Sequence, residues 1–376
     1  MTSNIIVFDG LNIKNGGGII VASRLVGSFL KNGWQVHFLT ASEETIKILR
    51  DDHNNTNLTI HNKPSLRSTA KALIYRVFQI KSFIELIDPR IVFSFNYWTP
   101  SSRFQVTYHI NVIPVSPLQE CIRSVGLLRG SAQVFYSRLA SNRSHLNLFE
   151  SHHILNLSKN TLGKLPQNSD VKYIGVDSET SITPNTTIPR NLITITSGAK
   201  HKRNDLLIQL HKTLINTSVE YHDIGLVIGG FGKEEAIRAS LSPEDNEYID
   251  SNPNIRFLGY CTRKELYQEM ANALVLVSFS ELESFFMVPV EAMSVGCPTI
   301  TTNVSSIMES VGSAGIVIDK GDVERAKKEV INLLDPRVRE EKSTQSRKWA
   351  HAFEADKCSQ KIVETVTQAY KNSNFS

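Results

Sequence analysis

Two acids, three cations, a run of glycines and one histidine fall where their chemistry could be used together. Glu283 and Glu291 stand eight positions apart in Ser278-Phe-Ser-Glu-Leu-Glu-Ser-Phe-Phe-Met-Val-Pro-Val-Glu291. Their carboxylates can accept hydrogen bonds from sugar hydroxyls. Glu283 is expected on a loop and Glu291 in the first turn of the helix that follows, with Pro289 near the helix start, where its missing N–H costs nothing. Free N–H groups at a helix start favour an anion. Lys200, Lys202 and Arg203 lie in Ser197-Gly-Ala-Lys-His-Lys-Arg-Asn-Asp205. Three cations at a strand-to-helix turn suit a diphosphate. Gly16, Gly17 and Gly18 permit close approach of backbone to a phosphate. Together these point to a ligand with both phosphates and hydroxyls. The plainer alternative is an ordinary strand–loop–helix in which Glu291 merely favours the positive helix end.

The elements that position these groups read as alternating strands and helices. Asn4–Phe8, a helix over Ile19–Lys31 and a strand over Trp34–Leu39 form a βαβ unit with glycines at its first turn. The spacing is not G-x-G-x-x-G, and no acid follows at a ribose-binding position, which disfavours a dinucleotide site. Arg90–Phe95 and Phe104–His109 are further strands, and His109 closes the second, where ligands of open α/β sheets lie. Leu66–Ile87 reads as one helix carrying Arg67, Lys71, Arg76 and Lys81. It either packs on the sheet or lies on an anionic membrane surface. Ser178–Asn191, rich in Ser, Thr, Pro and Asn, has linker composition. Leu192–Thr196, Ile224–Gly232, Asn254–Tyr260 and Ala273–Val277 then read as strands of a second sheet. The short continuous apolar runs are those of strands covered on both faces.

The run from Ala273 through Ala292-Met-Ser-Val-Gly-Cys-Pro-Thr-Ile-Thr-Thr-Asn303 to Ile318 resembles the signature of glycosyltransferase family 4, the retaining enzymes of glycosyl transferases group 1. The resemblance is strong over 192–320 and looser over the first half, where His153–Ser158 resembles the last strand of the family's first domain and Val171–Asp177 its exit strand and turn. It implies the α/β GT-B fold: two Rossmann-like doubly wound domains facing across a cleft, with a last helix crossing back. The implied boundaries are an acceptor domain at 1–180, a linker at 181–191, a nucleotide-sugar domain at 192–350 and a returning helix at 351–376. In the family the Glu-x7-Glu pair holds the donor, so Glu283 would bind the donor sugar and Glu291 the ribose diol. Lys202 matches the family lysine that meets the leaving diphosphate. The family's arginine is replaced, and Lys200 or Arg203 would substitute beside Gly198. Ser284, Phe285, Phe286 and Met287 would present backbone N–H groups, Tyr260 would lie near the base, Gly17 and Gly18 near the donor phosphates, and His109 would face the donor sugar. Ser284 and Phe286 stand where the family has glycines. The Phe286 ring would crowd the sugar or swing aside, narrowing the choice of donor. Neither metal nor cofactor is implied.

At 376 residues the chain suits two domains. Cys121, Cys261, Cys297 and Cys358 are scattered without C-x-x-C, which argues against zinc or disulfides and for a reducing cytoplasm. No stretch is apolar enough to span a bilayer. Net charge is +4, yet residues 53–149 carry eleven Lys and Arg against three acids. Such a half favours an acidic partner: a phosphate-bearing, lipid-linked acceptor, or peripheral contact with the anionic inner face of the plasma membrane. Nucleic acid is disfavoured because no nucleic-acid motif accompanies the charge. The resulting expectation is a retaining transferase moving a hexosyl unit from a UDP- or GDP-sugar to a glycan acceptor in bacterial surface polysaccharide assembly. The rivals are a nucleotide-sugar epimerase and a non-catalytic sensor or scaffold of the same fold.

Overall fold

A computed structural model describes residues 4–14, 16–177, 182, 189–230, 234–259 and 261–375. Its contacts divide into one unit of Met1–Gly175 with Ala355–Ser376 and a second of Val176–Glu354. Tyr260 and most of the 181–191 linker lie outside the described residues.

The first unit is a seven-stranded sheet in the order β3-β2-β1-β4-β5-β6-β7. Its strands are β1 (Ile5–Asp9), β2 (Gln35–Thr40), β3 (Leu58–Asn62), β4 (Ile91–Phe95), β5 (Phe104–His109), β6 (Leu146–Phe149) and β7 (Ser169–Val171), all parallel. Every residue of β4, β5 and β6 is buried, as parallel strands covered on both faces require. Phe8 anchors the core, with ring centroids 4.9 Å from Phe93 and 5.6 Å from Phe29. The C-terminal helix Ala355–Lys371 belongs to this unit. It lies against the helix Gly17–Lys31, where Lys31 pairs with Asp356 at 3.1 Å and Asn32 donates to Gln360 at 2.8 Å.

Two expectations for this half are corrected. His153–Ser158 lies within a helix, His152–Leu162. Ser151 accepts from the Ile154 N–H at 3.2 Å and Gly163 ends the helix in the left-handed region, so both ends are capped. Its buried residues, Ile154 and Ser158, recur at helical spacing rather than alternating. The last strand pairs are instead β6 and β7, and Val171–Asp177 keeps only Val171 in a strand. Leu66–Ile87 is also not one helix. A short turn at Pro64–Arg67 precedes Thr69–Phe78, and Gln79 breaks the chain before Ile80–Ile87. Ala72, Arg76, Ile80 and Ile84 are all buried and recur every four residues. That exceeds the 3.6-residue helical period, and the break takes up the phase difference.

The second unit is a six-stranded sheet in the order β10-β9-β8-β11-β12-β13. These strands are β8 (Asn191–Thr196), β9 (Gly225–Gly230), β10 (Ile255–Phe257), β11 (Val275–Ser278), β12 (Thr299–Thr302) and β13 (Ile316–Ile318), again all parallel. Leu226, Val275, Val277 and Ile300 are fully buried at its centre.

Candidate active site

In the second unit β11 feeds a loop that turns into the helix Met287–Ser294. Ser280 and Lys202 both donate to Glu283 Oε1, at 2.7 and 2.5 Å. Among the described residues Oε2 of Glu283 makes no hydrogen bond and is left to accept. The loop is held from behind: Ser305 and Ser306 hydroxyls donate to the Glu283 carbonyl at 2.9 and 3.1 Å. Lys202 arrives from the turn after β8. That turn is fixed by Asn204, whose side chain donates to the Ser197 carbonyl at 2.8 Å and accepts from Thr196 at 2.7 Å. The Glu281 N–H donates to the His201 carbonyl at 2.8 Å, so the cation turn and the carboxylate loop are joined through backbone. Burial, and then the Lys202 charge, hold the His201 imidazole below its usual range.

The three expected cations are not equivalent. Arg203 donates to Asp205 and to Glu281, each at 2.7 Å. Those hydrogen bonds, Asp205 first, push the guanidinium pKa up despite burial. Its charge is therefore already balanced by these two carboxylates in this structure. Lys202 is balanced by Glu283. Lys200 is exposed and in no ion pair among the described residues, so it remains available to an anion. Gly198 is explained by packing: a Cβ there would lie 2.0 Å from the Ala236 carbonyl oxygen.

Glu291 sits in the second turn of its helix rather than the first, and no acid occupies the first turn. Its side chain is buried and accepts from Arg263 Nη2 at 3.0 Å, and the same guanidinium meets Asp177 at 3.0 Å. Burial opposes the Arg263 charge, but Glu291, Tyr267 and Asp177 outweigh it and raise its pKa. Arg263 and Asp177 were missed from sequence, because a partner on another element leaves no local spacing signal. Phe285 and Phe286 are buried. The Phe285 ring lies 5.6 Å from Phe353, and Lys202 Nζ stands 5.0 Å over the Phe286 ring. The Phe286 ring thus sits beneath the lysine instead of projecting freely toward a sugar, a cation–π arrangement. Ser284 and Met287 are partly exposed, and Met287 opens the helix, where the first-turn N–H groups have no intrahelical acceptor.

The remaining candidates belong to the first unit. Gly17 and Gly18 open the helix Gly17–Lys31, behind Gly16 at φ 67°. His109 closes β5. It is fully buried, stacked on Phe149 with centroids 4.5 Å apart, and its Nε2–H donates to Asn147 Oδ1 at 3.2 Å. Burial lowers its pKa to about 4. In this structure the imidazole is packed in the interior, and its Nδ1 has no hydrogen-bond partner among the described residues. Asp9, unassigned from sequence, takes a two-pronged pair from Arg76, whose Nη2 lies 2.9 Å from Oδ2, and a hydrogen bond from Thr99 at 2.7 Å. Arg76 is therefore an interior residue, not part of a membrane-facing stripe.

Residues 183–349 match the family model described as glycosyl transferases group 1. The chain is 34% identical over 118 residues to O-antigen chain mannosyltransferase B of Escherichia coli, which covers 31% of this chain and 30% of that protein. It is 28% identical over 131 residues to capsular polysaccharide biosynthesis glycosyltransferase CapM of Staphylococcus aureus, covering 34% and 32%. The matched segments thus span about a third of these curated relatives. Among solved structures, sucrose-phosphate synthase of Thermosynechococcus elongatus superposes with a TM-score of 0.79 at 14% identity, over 98% of this chain and all of that one. WaaG, a glycosyltransferase involved in lipopolysaccharide biosynthesis, gives 0.73 at 15%, over 96% and 99%. Anabaena HepE in complex with UDP-glucose gives 0.72 at 14%, over 97% and 99%. At these identities the superpositions speak to fold alone. Residues 183–349 therefore form a group 1 glycosyltransferase domain, in a chain with the GT-B fold.

Proposed function

We propose that this chain is a retaining glycosyltransferase that moves a hexosyl unit from a UDP- or GDP-sugar to a glycan acceptor in bacterial surface polysaccharide synthesis. The observation that carries this reading is Glu283. Its loop is locked by serines, one oxygen is held by Lys202, and the other is left to accept, beside a helix start and Lys200, which is in no ion pair among the described residues. Glu283 binds donor hydroxyls, and Glu291, oriented by Arg263, binds the ribose diol. Lys202 and Lys200, with the N–H groups of the first helical turn, offset the charge that builds on the departing diphosphate. No metal enters this scheme. The relatives named for O-antigen and capsular polysaccharide support the product class.

The acceptor is lipid-linked, and the enzyme docks peripherally on anionic membrane. The basic first unit supports this, as do Val77, Phe78, Leu127 and Leu128, which are large apolar side chains left exposed. No helix among the described residues is long and apolar enough to cross a membrane. Liposome flotation at low salt checks the docking: equal recovery on neutral and anionic vesicles would count against it.

The central test is transfer by Glu283→Gln and Glu291→Gln, after a thermal-shift panel of UDP- and GDP-sugars has identified the donor. Glu283→Gln is expected to lower kcat at least about a hundredfold, as loss of a transition-state contact does. Undiminished transfer by both variants would overturn the site.

A further inference from the structure

We propose that a cavity in the first unit binds a phosphoryl group, a phosphate or pyrophosphate borne by the acceptor. Its assignment to the acceptor rests on the transferase reading, whereas the anion site itself does not. The cavity has a volume of about 140 Å³ and is walled by Lys14, Arg76, Tyr97, Arg129, Gln133 and Tyr136, among others. Lys14 follows β1 and Tyr97 follows β4, so the cavity opens beyond the carboxyl ends of adjacent parallel strands, where open α/β sheets take their ligands.

Charge decides the ligand. Among the described residues no carboxylate lines the cavity. Asp9, the acid at the end of β1, is consumed by Arg76 and Thr99. That pairing balances Arg76 and fixes it, with its guanidinium carbon 5.8 Å from the Tyr97 ring centroid and Nη1 donating to Asn12 at 3.2 Å. Lys14 and Arg129 are left over. Neither is in an ion pair with a described residue, although Lys14 donates to the Arg67 carbonyl at 2.9 Å. They also oppose each other: burial, and then the Arg129 charge, hold the Lys14 ammonium below its ordinary range. An anion between them would relieve that repulsion. Burial pushes the Tyr97 phenol well up, so it stays a hydrogen-bond donor at neutral pH. Gln133 and Tyr136 add neutral donors to the same wall. Two cations with several donors suit a group having many acceptor oxygens.

Size sets the other limit. A cavity of about 140 Å³ falls short of the roughly 300 Å³ and more that hold a drug-sized ligand. It takes the anionic end of a larger molecule, not a sugar nucleotide.

The test titrates the full-length protein with inorganic pyrophosphate by calorimetry at low salt. The background is Lys200→Gln/Lys202→Gln, so that the second unit's cation turn does not report. Lys14→Gln/Arg129→Gln on that background should weaken pyrophosphate at least about tenfold, as loss of charge-assisted hydrogen bonds does. Both side chains are exposed, and an unchanged melting temperature would show that folding is intact. Pyrophosphate binding that is absent, or that survives the double change, overturns the site. The melting shift given by UDP to the Lys14→Gln/Arg129→Gln protein with Lys200 and Lys202 intact should persist. If UDP and the sugar nucleotides bind neither it nor the parent, the transferase reading fails while the anion site stands. A further arm compares an alkyl pyrophosphate in neutral micelles with inorganic pyrophosphate. Tighter binding of the alkyl form supports a lipid-borne group, and equal binding supports a soluble phosphorylated glycan.

Discussion

Burying a neutral imidazole in β5 makes the first unit sensitive to mild acid, and the cost can be worked out. His109 is fully buried, and its pKa falls from 6.5 to about 4. The unfolded chain binds a proton near pH 6.5, but the folded chain does not until near pH 4. Stability is therefore complete above the unfolded value and declines as pH falls between the two. That separation is worth about 3 kcal/mol once both forms are titrated. By pH 5 roughly 2 kcal/mol of that is already lost. The comparison variant is His109→Phe, which keeps a ring over Phe149 and removes the proton. Hydrogen exchange of peptides spanning β5 and β6, corrected for intrinsic rates, gives the opening free energy at pH 7.5 and pH 5. Other histidines contribute equally to both proteins, so the parent should lose about 2 kcal/mol more than His109→Phe over that interval. An equal loss would show that His109 is not held neutral by burial.

Three further outcomes follow from pairings described above. Arg76→Met leaves Asp9 charged in the interior and should cost about 3–5 kcal/mol in urea unfolding, while Asp9→Asn added to it should restore part of that loss. Arg263→Gln should weaken UDP about tenfold without changing pyrophosphate affinity, because its effect passes through Glu291 to the ribose; equal weakening of both ligands would refute that route. Gly198→Ala places a methyl group 2.0 Å from the backbone oxygen of Ala236, and calorimetry should show a loss of about 1–3 kcal/mol.

Much of the fold was legible because parallel strands advertise themselves as short apolar runs. Ile5–Asp9, Leu192–Thr196 and Val275–Ser278 are of this kind. What escaped lacked such a run or imitated one. Leu58–Asn62 is an edge strand whose burial never becomes complete, so its residues Leu-Thr-Ile-His-Asn carry too little apolar signal. His153–Ser158 imitates a strand because Ile, Leu and Leu fall close together, and only the Ser151 cap and Gly163 reveal a helix. Arg76 was hidden most completely. Its spacing is that of a solvated basic rim, and nothing within four residues indicates that Asp9, 67 positions earlier, draws it into the core.

Counting cations in a sequence overstates one site and understates another. Around the turn after β8, Lys200, Lys202 and Arg203 look like a triple positive charge. Asp205, Glu281 and Glu283 neutralise most of it, and Lys320 then meets the second oxygen of Glu281 at 3.1 Å. The carboxylates do more than cancel charge there. They hold Lys202 and Arg203 each in one geometry, so a diphosphate would meet a fixed lysine, a free lysine and helix N–H groups rather than a mobile cluster. In the first unit the balance runs the other way. Asp9 removes only Arg76, and the charge of Lys14 and Arg129 stays unmatched beside it. A dense set of paired charges therefore suits precise placement of a reacting group, and a sparse unpaired set suits capture of an anionic handle. On the proposed reading the two units of this chain divide those tasks through where their acids stand, although both present a similar run of lysines and arginines in sequence.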